Sequence, residues 1–118
     1  MSKAEYTKKA EAACRRASDF NLELPALARD RKLSRVEVVR AAEREGRRYQ
    51  ETLKDLDPPE DLLDAHEKML DVLASPSTDR VGRPNRVRLK RLGKAYEKVG
   101  MERCAGGVRD GLRHIPRP

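Results

Sequence analysis

The sequence has no tryptophan, one phenylalanine and three tyrosines, so aromatic side chains make up only 3% of its 118 residues. A core must therefore be built from leucine, valine, alanine, methionine and the three tyrosines. Hydrophobic residues (37%) are outnumbered by charged residues (40%), a balance close to that of disordered chains. The apolar residues nevertheless recur at helical spacing, which favours thin amphipathic helices in one domain over an unfolded chain.

Long apolar segments are also missing. No stretch approaches the ~18 apolar residues that a transmembrane helix needs. The first residues, MSKAEYTKKA, lack the apolar segment of a signal peptide. The chain as written is expected to be soluble, and it is either cytosolic or the mature form of an exported protein whose export signal has been replaced by a new start.

The sequence also lacks the residue patterns of catalytic and metal sites. Its two cysteines fit neither a zinc site nor a CxxC redox motif, and no Ser, Cys or Lys has a recognisable activating partner. His66 lies near Asp61, Asp64 and Glu67, but it falls on an apolar stripe while the carboxylates are spread around the helix. A buried structural histidine is therefore favoured over a metal ligand, and we predict a protein that is not an enzyme and has no cofactor.

Residues 53–73 form the stretch around which the rest of the chain is arranged. One amphipathic helix ends there at a Pro-Pro corner, and another begins at once and runs to about residue 74. Asp57 is a good N-cap, and Pro58 and Pro59 fall in the first turn, where a missing N–H group costs nothing. The pattern predicts an αα-hairpin. Five side chains should meet across its corner: Leu53, Leu56, Leu62, Met69 and Leu73.

The helix before this corner has the clearest start, because Ser34 and Glu37 have the form of a capping box. Its apolar stripe, which reaches about residue 56, contains Gly46. Glycine costs roughly 1 kcal/mol relative to alanine in a helix, so we expect Gly46 to mark a close helix crossing. A first helix should cover about residues 3–19. Within residues 22–33, Pro25 can open a short helical turn, or the segment can be an ordered loop held by Leu22, Leu24 and Leu33; we favour the turn.

Four apolar residues at helical spacing define the last helix: Leu89, Leu92, Tyr96 and Val99. Gly100 is placed to end that helix in the left-handed conformation. The following segment, AGGVRDGLRHIPRP, has three glycines, two prolines and no sustained period. We therefore predict an all-α, antiparallel four-helix bundle over residues 1–104, with a short extra helical turn, and a flexible C-terminal tail over residues 105–118.

The formal charge of +7 is concentrated near the C-terminus. Residues 1–75 carry 15 Lys and Arg against 16 Asp and Glu, whereas residues 76–118 carry 12 against 4, a net charge of +8. A candidate anion-binding stripe consists of six basic residues: Arg83, Arg86, Lys90, Arg91, Lys94 and Lys98. Such a stripe can contact an acidic protein, anionic lipid or a wall polymer, or bind nucleic acid non-specifically; a solvated face is the simpler reading.

The two cysteines occupy neighbouring elements if the bundle is antiparallel, since Cys14 lies in the first helix and Cys104 just beyond the last. A bridge would close a loop of roughly 90 residues and stabilise the fold by about 4–5 kcal/mol in the chain-entropy model. Two cysteines are also what chance supplies to a cytosolic protein. The residues alone leave both states open, a disulfide and two free thiols.

Three motifs in this sequence resemble those of small exported or lipid-anchored helical proteins of actinobacteria. They are YTKKAEAAC, in which Tyr6 precedes Cys14; LKDLDPPEDL, followed by His66; and LGKAYEKVGMERCAGG, in which Gly100 precedes Cys104. The resemblance covers about residues 4–107. It implies an extracytoplasmic helical bundle with Cys14 and Cys104 joined, and it carries over no catalytic residue. The chain departs from that family in lacking an export signal and in being basic where those proteins are acidic and alanine-rich.

The leading hypothesis is a monomeric, non-enzymatic binding or accessory protein of an actinobacterial cell envelope. The alternative is a cytosolic nucleic-acid-associated or regulatory helical protein with both thiols reduced. The two hypotheses differ in compartment and in the chemistry of the anionic partner, while they share the same fold.

Overall fold

The computed structural model describes residues 1–78, 81 and 83–115. Over these residues the chain is all-α, as predicted, and measures 45 × 33 × 20 Å. Five α-helices are present in the described part, together with a 3₁₀ turn over Glu60–Leu62: α1 (Lys3–Asp30), α2 (Arg35–Lys54), α3 (Leu63–Ala74), α4 (Arg86–Lys98) and α5 (Glu102–Arg113). Within the same residues, no helix is both long and apolar enough to span a membrane.

Helix α1 is longer than predicted, because the separate turn expected within residues 22–33 is part of it and Pro25 lies inside the helix. The helix ends where Lys32 adopts a left-handed conformation (φ 53°) and the Leu33 amide donates to the Ala28 carbonyl at 2.9 Å. This is the hydrogen-bond pattern of a Schellman stop. A proline removes one N–H donor and crowds the carbonyl four residues before it, but the residues beyond Pro25 keep their own backbone donors, and the helix continues to this stop.

The predicted capping box starts α2. The Glu37 amide donates to Ser34 Oγ at 3.2 Å, and the Ser34 amide donates to Glu37 Oε1 at 3.1 Å. These two bonds satisfy backbone donors that have no partner inside the helix, and the Ser34 bond lowers the pKa of the Glu37 carboxyl. The start of α2 therefore follows from local sequence.

The Pro-Pro corner lies where predicted, but its capping differs. Asp57 is not the N-cap, and the two prolines precede the 3₁₀ turn; Pro59 is extended (φ −62°, ψ 155°) and makes no side-chain cap. A residue before a proline is disfavoured in the helical region, so consecutive prolines delay the helix until both have passed. Asp57 instead lies 3.9 Å from the N-terminal ammonium of Met1.

The core lies where the N-terminal part of α1, the C-terminal part of α2, α3, α4 and the start of α5 meet. Leu53, Leu62, Met69 and Leu73 are buried together there, as predicted, and Leu56 packs against them partly buried. Its fully buried side chains with the largest volume are Tyr6, Leu53, Met69, Met101 and Val99. Gly100 ends α4 with φ +85°, which confirms the predicted left-handed stop.

Beyond Cys14 the chain leaves this core and returns to it only near Leu53. Among residues 15–52 only Leu24 is buried, and three aliphatic side chains are exposed: Leu22, Val36 and Val39. We refer to residues 15–48, the part of the α1–α2 pair farthest from the core, as the projecting hairpin. Since α1 is 28 residues long, it extends about 42 Å at the helical rise of 1.5 Å per residue and spans the long dimension of the molecule.

The predicted tail over residues 105–118 is wrong for residues 105–113, which belong to α5, so the boundary drawn at residue 104 falls inside a helix. Cys104 and Ala105 are buried, and Arg86 Nη1 donates to the carbonyls of Leu112 (3.4 Å) and Ile115 (3.0 Å) at the C-terminal end of α5. These tertiary contacts outweigh the poor helix propensity of the glycines. Residues 116–118 of that prediction lie outside the described residues.

Candidate functional site

The disulfide predicted from the resemblance is present, and it joins the middle of α1 to the first turn of α5. Cys14 and Cys104 are bonded, with their Cα atoms 6.1 Å apart. Beside the bond, the Cys104 amide donates to Glu11 Oε1 at 3.1 Å. A carboxylate at this position accepts from a backbone N–H group that has no partner within the helix. Its negative charge also interacts favourably with the positive N-terminal end of α5. The two helices are thus held together at the level of Cys14.

An open cleft lies between the projecting hairpin and the α4–α5 pair, with a volume of about 1470 Å³. That volume exceeds the roughly 300–1,000 Å³ of sites for drug-sized ligands. Its walls carry small and aliphatic residues, including Leu22, Ala42, Gly46, Gly107, Val108 and Gly111, together with charged ones that include Lys8, Glu45, Glu102 and Arg103.

The glycines of these walls face open space. A Cβ atom added to Gly46, Gly107 or Gly111 would meet nothing within 4 Å. The predicted close crossing at Gly46 is therefore wrong. It fails because the α1–α2 pair has already left the core at this position, so no helix crosses there.

Two tyrosines form the neutral part of the floor of the cleft. The hydroxyl oxygens of Tyr49 and Tyr96 are 2.7 Å apart in a hydrogen bond, and the Tyr49 hydroxyl lies 3.9 Å from Cys104 Sγ. Burial raises the pKa of Tyr96 to about 12, and burial together with the neighbouring Tyr96 raises the pKa of Tyr49 well above its ordinary value. Both hydroxyls therefore stay protonated at physiological pH.

Arg88 supplies the positive charge of this floor. Its Nη2 donates to the Leu73 carbonyl at 3.2 Å, and Gln50 Nε2 donates to the same carbonyl at 3.0 Å. Arg88 Nε is shielded from solvent and has no acceptor, and none of the ion pairs among the described residues includes Arg88. The partly buried guanidinium of Arg88 thus has one neutral backbone carbonyl as its hydrogen-bond acceptor and no negatively charged partner.

Sequence reasoning missed Arg88, although the sequence contains a signal for it. Arg88 stands four residues before Leu92 and eight before Tyr96, so it shares the inward stripe of α4 with two buried residues. Charged residues are rarely found on such a stripe unless they are paired. Its position among apolar residues, and not its charge alone, marks it as unusual.

The six residues of the predicted basic stripe separate in the structure. Lys90, Arg91, Lys94 and Lys98 lie on the exposed side of α4, and none of their side chains makes a hydrogen bond or ion pair with another described residue. We call these four residues the basic face. Arg86 instead binds the carbonyls at the end of α5, and Arg83 is exposed before α4 begins.

His66 is 3% exposed, as predicted for a structural histidine, and its Nδ1 lies 2.6 Å from the Tyr6 hydroxyl in a hydrogen bond. Burial lowers the pKa of His66, which the nearby Glu67 opposes in part, and burial raises the pKa of Tyr6 to about 12. In the part of the chain that the structure describes, no three His, Cys, Asp or Glu side chains are grouped so that they could hold a metal ion.

Comparisons of the chain with protein-family models, with curated proteins and with solved structures gave no match. Function must therefore be inferred from the disulfide, the cleft and the basic face.

Proposed function

We propose that this protein is a non-enzymatic, monomeric binding or accessory protein of an actinobacterial cell envelope, and that it contacts an anionic lipid or wall-polymer surface through the basic face. In this proposal α1 to α4 act as an antiparallel four-helix bundle to which α5 is added. One observation carries the proposal: Lys90, Arg91, Lys94 and Lys98 are exposed on one side of α4 and have no acidic partner in the described residues.

The spacing of these residues fits a flat charged surface. Lys90, Lys94 and Lys98 recur every four residues, so their charges lie in a row about 12 Å long at 1.5 Å per residue. Each Lys or Arg close to an anionic membrane contributes about 1 kcal/mol. Four such residues supply about 4 kcal/mol, which corresponds to a dissociation constant of about 1 mM. The contact is therefore weak and salt-sensitive, as suits an accessory surface interaction.

Two further features favour an envelope surface over nucleic acid. Disulfides persist in oxidising compartments, which supports an extracytoplasmic location for a protein with Cys14 and Cys104 bonded. In addition, Val87 on the outer side of α4 is 59% exposed, next to the cations, where an apolar side chain can contact lipid. Tyr96 is the aromatic residue between Lys94 and Lys98 in sequence, but it is buried and bonded to Tyr49, so it cannot stack on nucleic-acid bases beside these cations.

The test compares binding to vesicles that contain phosphatidylglycerol with binding to vesicles of phosphatidylcholine alone. A variant with Lys90, Lys94 and Lys98 changed to Gln should lose most of its affinity for the anionic vesicles. The matched control changes Arg40, Arg44 and Arg47, which are exposed on α2, to Gln and removes the same net charge. Equal affinities of the two variants would show that only total charge matters and that the basic face is a solvated face.

The alternative function, a cytosolic nucleic-acid-associated or regulatory protein, is favoured by the net charge of +8 over residues 76–118. Binding that rests on phosphate contacts alone falls steeply with salt and does not depend on sequence. Titrating the protein with duplex DNA of two unrelated sequences, at low and at physiological salt, tests this alternative against the envelope proposal. Sequence-selective binding that survives physiological salt would favour the alternative.

A further inference from the structure

The cleft is independent of the basic face, and its chemistry differs. We infer that the cleft binds a long-chain carboxylate, with the head group at Arg88 and the aliphatic chain along the glycine-containing wall of α5. Three properties of the described residues carry this inference: a guanidinium on the floor with a buried donor that has no acceptor, glycines on both walls with open space beside them, and a volume greater than a compact ligand needs.

The charges of the floor select an anion. A partly buried ionised group normally has an opposite charge as its partner. The carboxylate of Glu11 is already engaged by the Cys104 amide at the positive end of α5, and Asp19 lies 3.9 Å from Arg15. Arg88 has only the Leu73 carbonyl, and its Nε has no acceptor. Lys8, Glu45, Glu102 and Arg103 also line the cleft, but among these charged side chains Arg88 is the one with a buried donor that has no acceptor in the described residues.

The guanidinium favours a carboxylate in particular. Its planar N–H donors match the two oxygens of a carboxylate, and one guanidinium neutralises one negative charge. The hydroxyls of Tyr49 and Tyr96 remain neutral, and because one donates to the other, the pair adds one free donor to the floor without adding charge.

The glycine-containing parts of the two walls suit an aliphatic chain. Gly107 and Gly111 stand one helical turn apart on α5, with Val108 beside them, and Gly46 lines the opposite wall on α2. Because a Cβ at any of these glycines would meet nothing within 4 Å, a chain can lie against the backbone of both walls. The cleft is open, so an extended chain can lie along these glycines between the charged side chains that also line it.

Isothermal titration calorimetry with laurate, below its aggregation concentration, tests the inference, with dodecanol as the uncharged ligand of the same chain length. We expect laurate to bind with a stoichiometry of one and at least ten times more tightly than dodecanol. Arg88→Gln should weaken laurate at least tenfold and leave dodecanol unchanged. Arg91→Gln, which removes a charge from the exposed side of the same helix, should change neither affinity.

A second pair of variants tests the chain without touching Arg88. Gly107→Leu fills the cleft and should weaken both ligands at least tenfold. Gly106→Leu introduces the same side chain on α5 where it also meets nothing within 4 Å but does not line the cleft, so both ligands should bind as before. Far-UV circular dichroism checks that each variant folds.

Three results would overturn the inference: no binding of laurate to the wild-type protein, equal affinities for laurate and dodecanol, or equal effects of Gly106→Leu and Gly107→Leu. None of them bears on vesicle binding, because the basic face is unchanged in the two glycine variants. Conversely, neutralising Lys90, Lys94 and Lys98 should leave the affinity for laurate unchanged.

Discussion

Removal of the disulfide is the perturbation for which the structure gives the clearest magnitude. Cys14 and Cys104 are separated by 90 residues in sequence, so replacing both by Ala releases a loop that includes most of the chain. The chain-entropy model assigns about 4.5 kcal/mol to closing a loop of this size. Small domains are stable by about 5–15 kcal/mol, so the double variant should remain folded but close to its limit.

The expected change in melting temperature follows from the size of the protein. An unfolding entropy of about 2.1 cal/mol/K per residue gives about 250 cal/mol/K for the whole chain, so a loss of about 4.5 kcal/mol lowers the melting temperature by about 18 °C. Urea unfolding followed by circular dichroism measures the loss directly. The helical spectrum at low temperature should be retained, because the core that contains Cys104 also contains fully buried side chains such as Leu53 and Met69, which the double variant leaves in place.

Glu11→Gln is the matched control for this experiment. It keeps the disulfide and an oxygen acceptor for the Cys104 amide but removes the charge at the start of α5, which should cost no more than about 1 kcal/mol. Hydrogen exchange adds a local readout, since α5 should lose protection before α3 when the bond is absent. A loss of less than about 1.5 kcal/mol in the Cys variant, or equal effects of the two changes, would refute the reasoning.

Three further predictions concern the fold. Leu53→Ala should lower the free energy of unfolding by about 2–5 kcal/mol because Leu53 is fully buried, whereas Val36→Ala at an exposed site should change it by less than about 0.5 kcal/mol in urea unfolding. Burial lowers the pKa of His66 in the folded state, so as the pH falls the unfolded state binds a proton on His66 at a higher pH than the folded state does. The free energy of unfolding should therefore decrease as the pH drops below 6.5, and His66→Gln should flatten that dependence. Gly46→Ala, in a helix with open space around the new Cβ, should raise the melting temperature, while Gly100→Ala, at φ +85°, should lower it. A rise for Gly100→Ala and a fall for Gly46→Ala would contradict the backbone conformations of these two glycines.

The features that could be predicted from sequence are those set by neighbouring residues. The capping box of Ser34 and Glu37 satisfies its own backbone donors, and Gly100 adopts a conformation that other residues avoid, so both boundaries follow from local chemistry. The side chains that meet across the Pro-Pro corner were predicted from helical spacing alone. The pairing of Cys14 with Cys104 came from the resemblance, since the residues themselves left it open.

The features that could not be predicted depend on distant contacts. Three glycines between residues 105 and 111 argue against a helix locally, but the burial of Ala105 and the Arg86 bond to the Ile115 carbonyl stabilise α5. The cleft exists because the projecting hairpin diverges from α5 beyond Cys14, and no pattern within one helix encodes that angle. Consequently Gly46 was assigned to a helix crossing, and Arg88 was not recognised as part of a floor.

A direct competition between two anionic partners tests the proposed envelope function most closely. The native, disulfide-bonded protein is mixed at physiological salt with vesicles containing phosphatidylglycerol and with duplex DNA that supplies the same number of negative charges, and the bound fractions are separated by sedimentation. The envelope proposal predicts that the protein sediments with the vesicles and that changing Lys90, Lys94 and Lys98 to Gln releases it. Retention of the protein on DNA, with no loss from the DNA when vesicles are added, would contradict it.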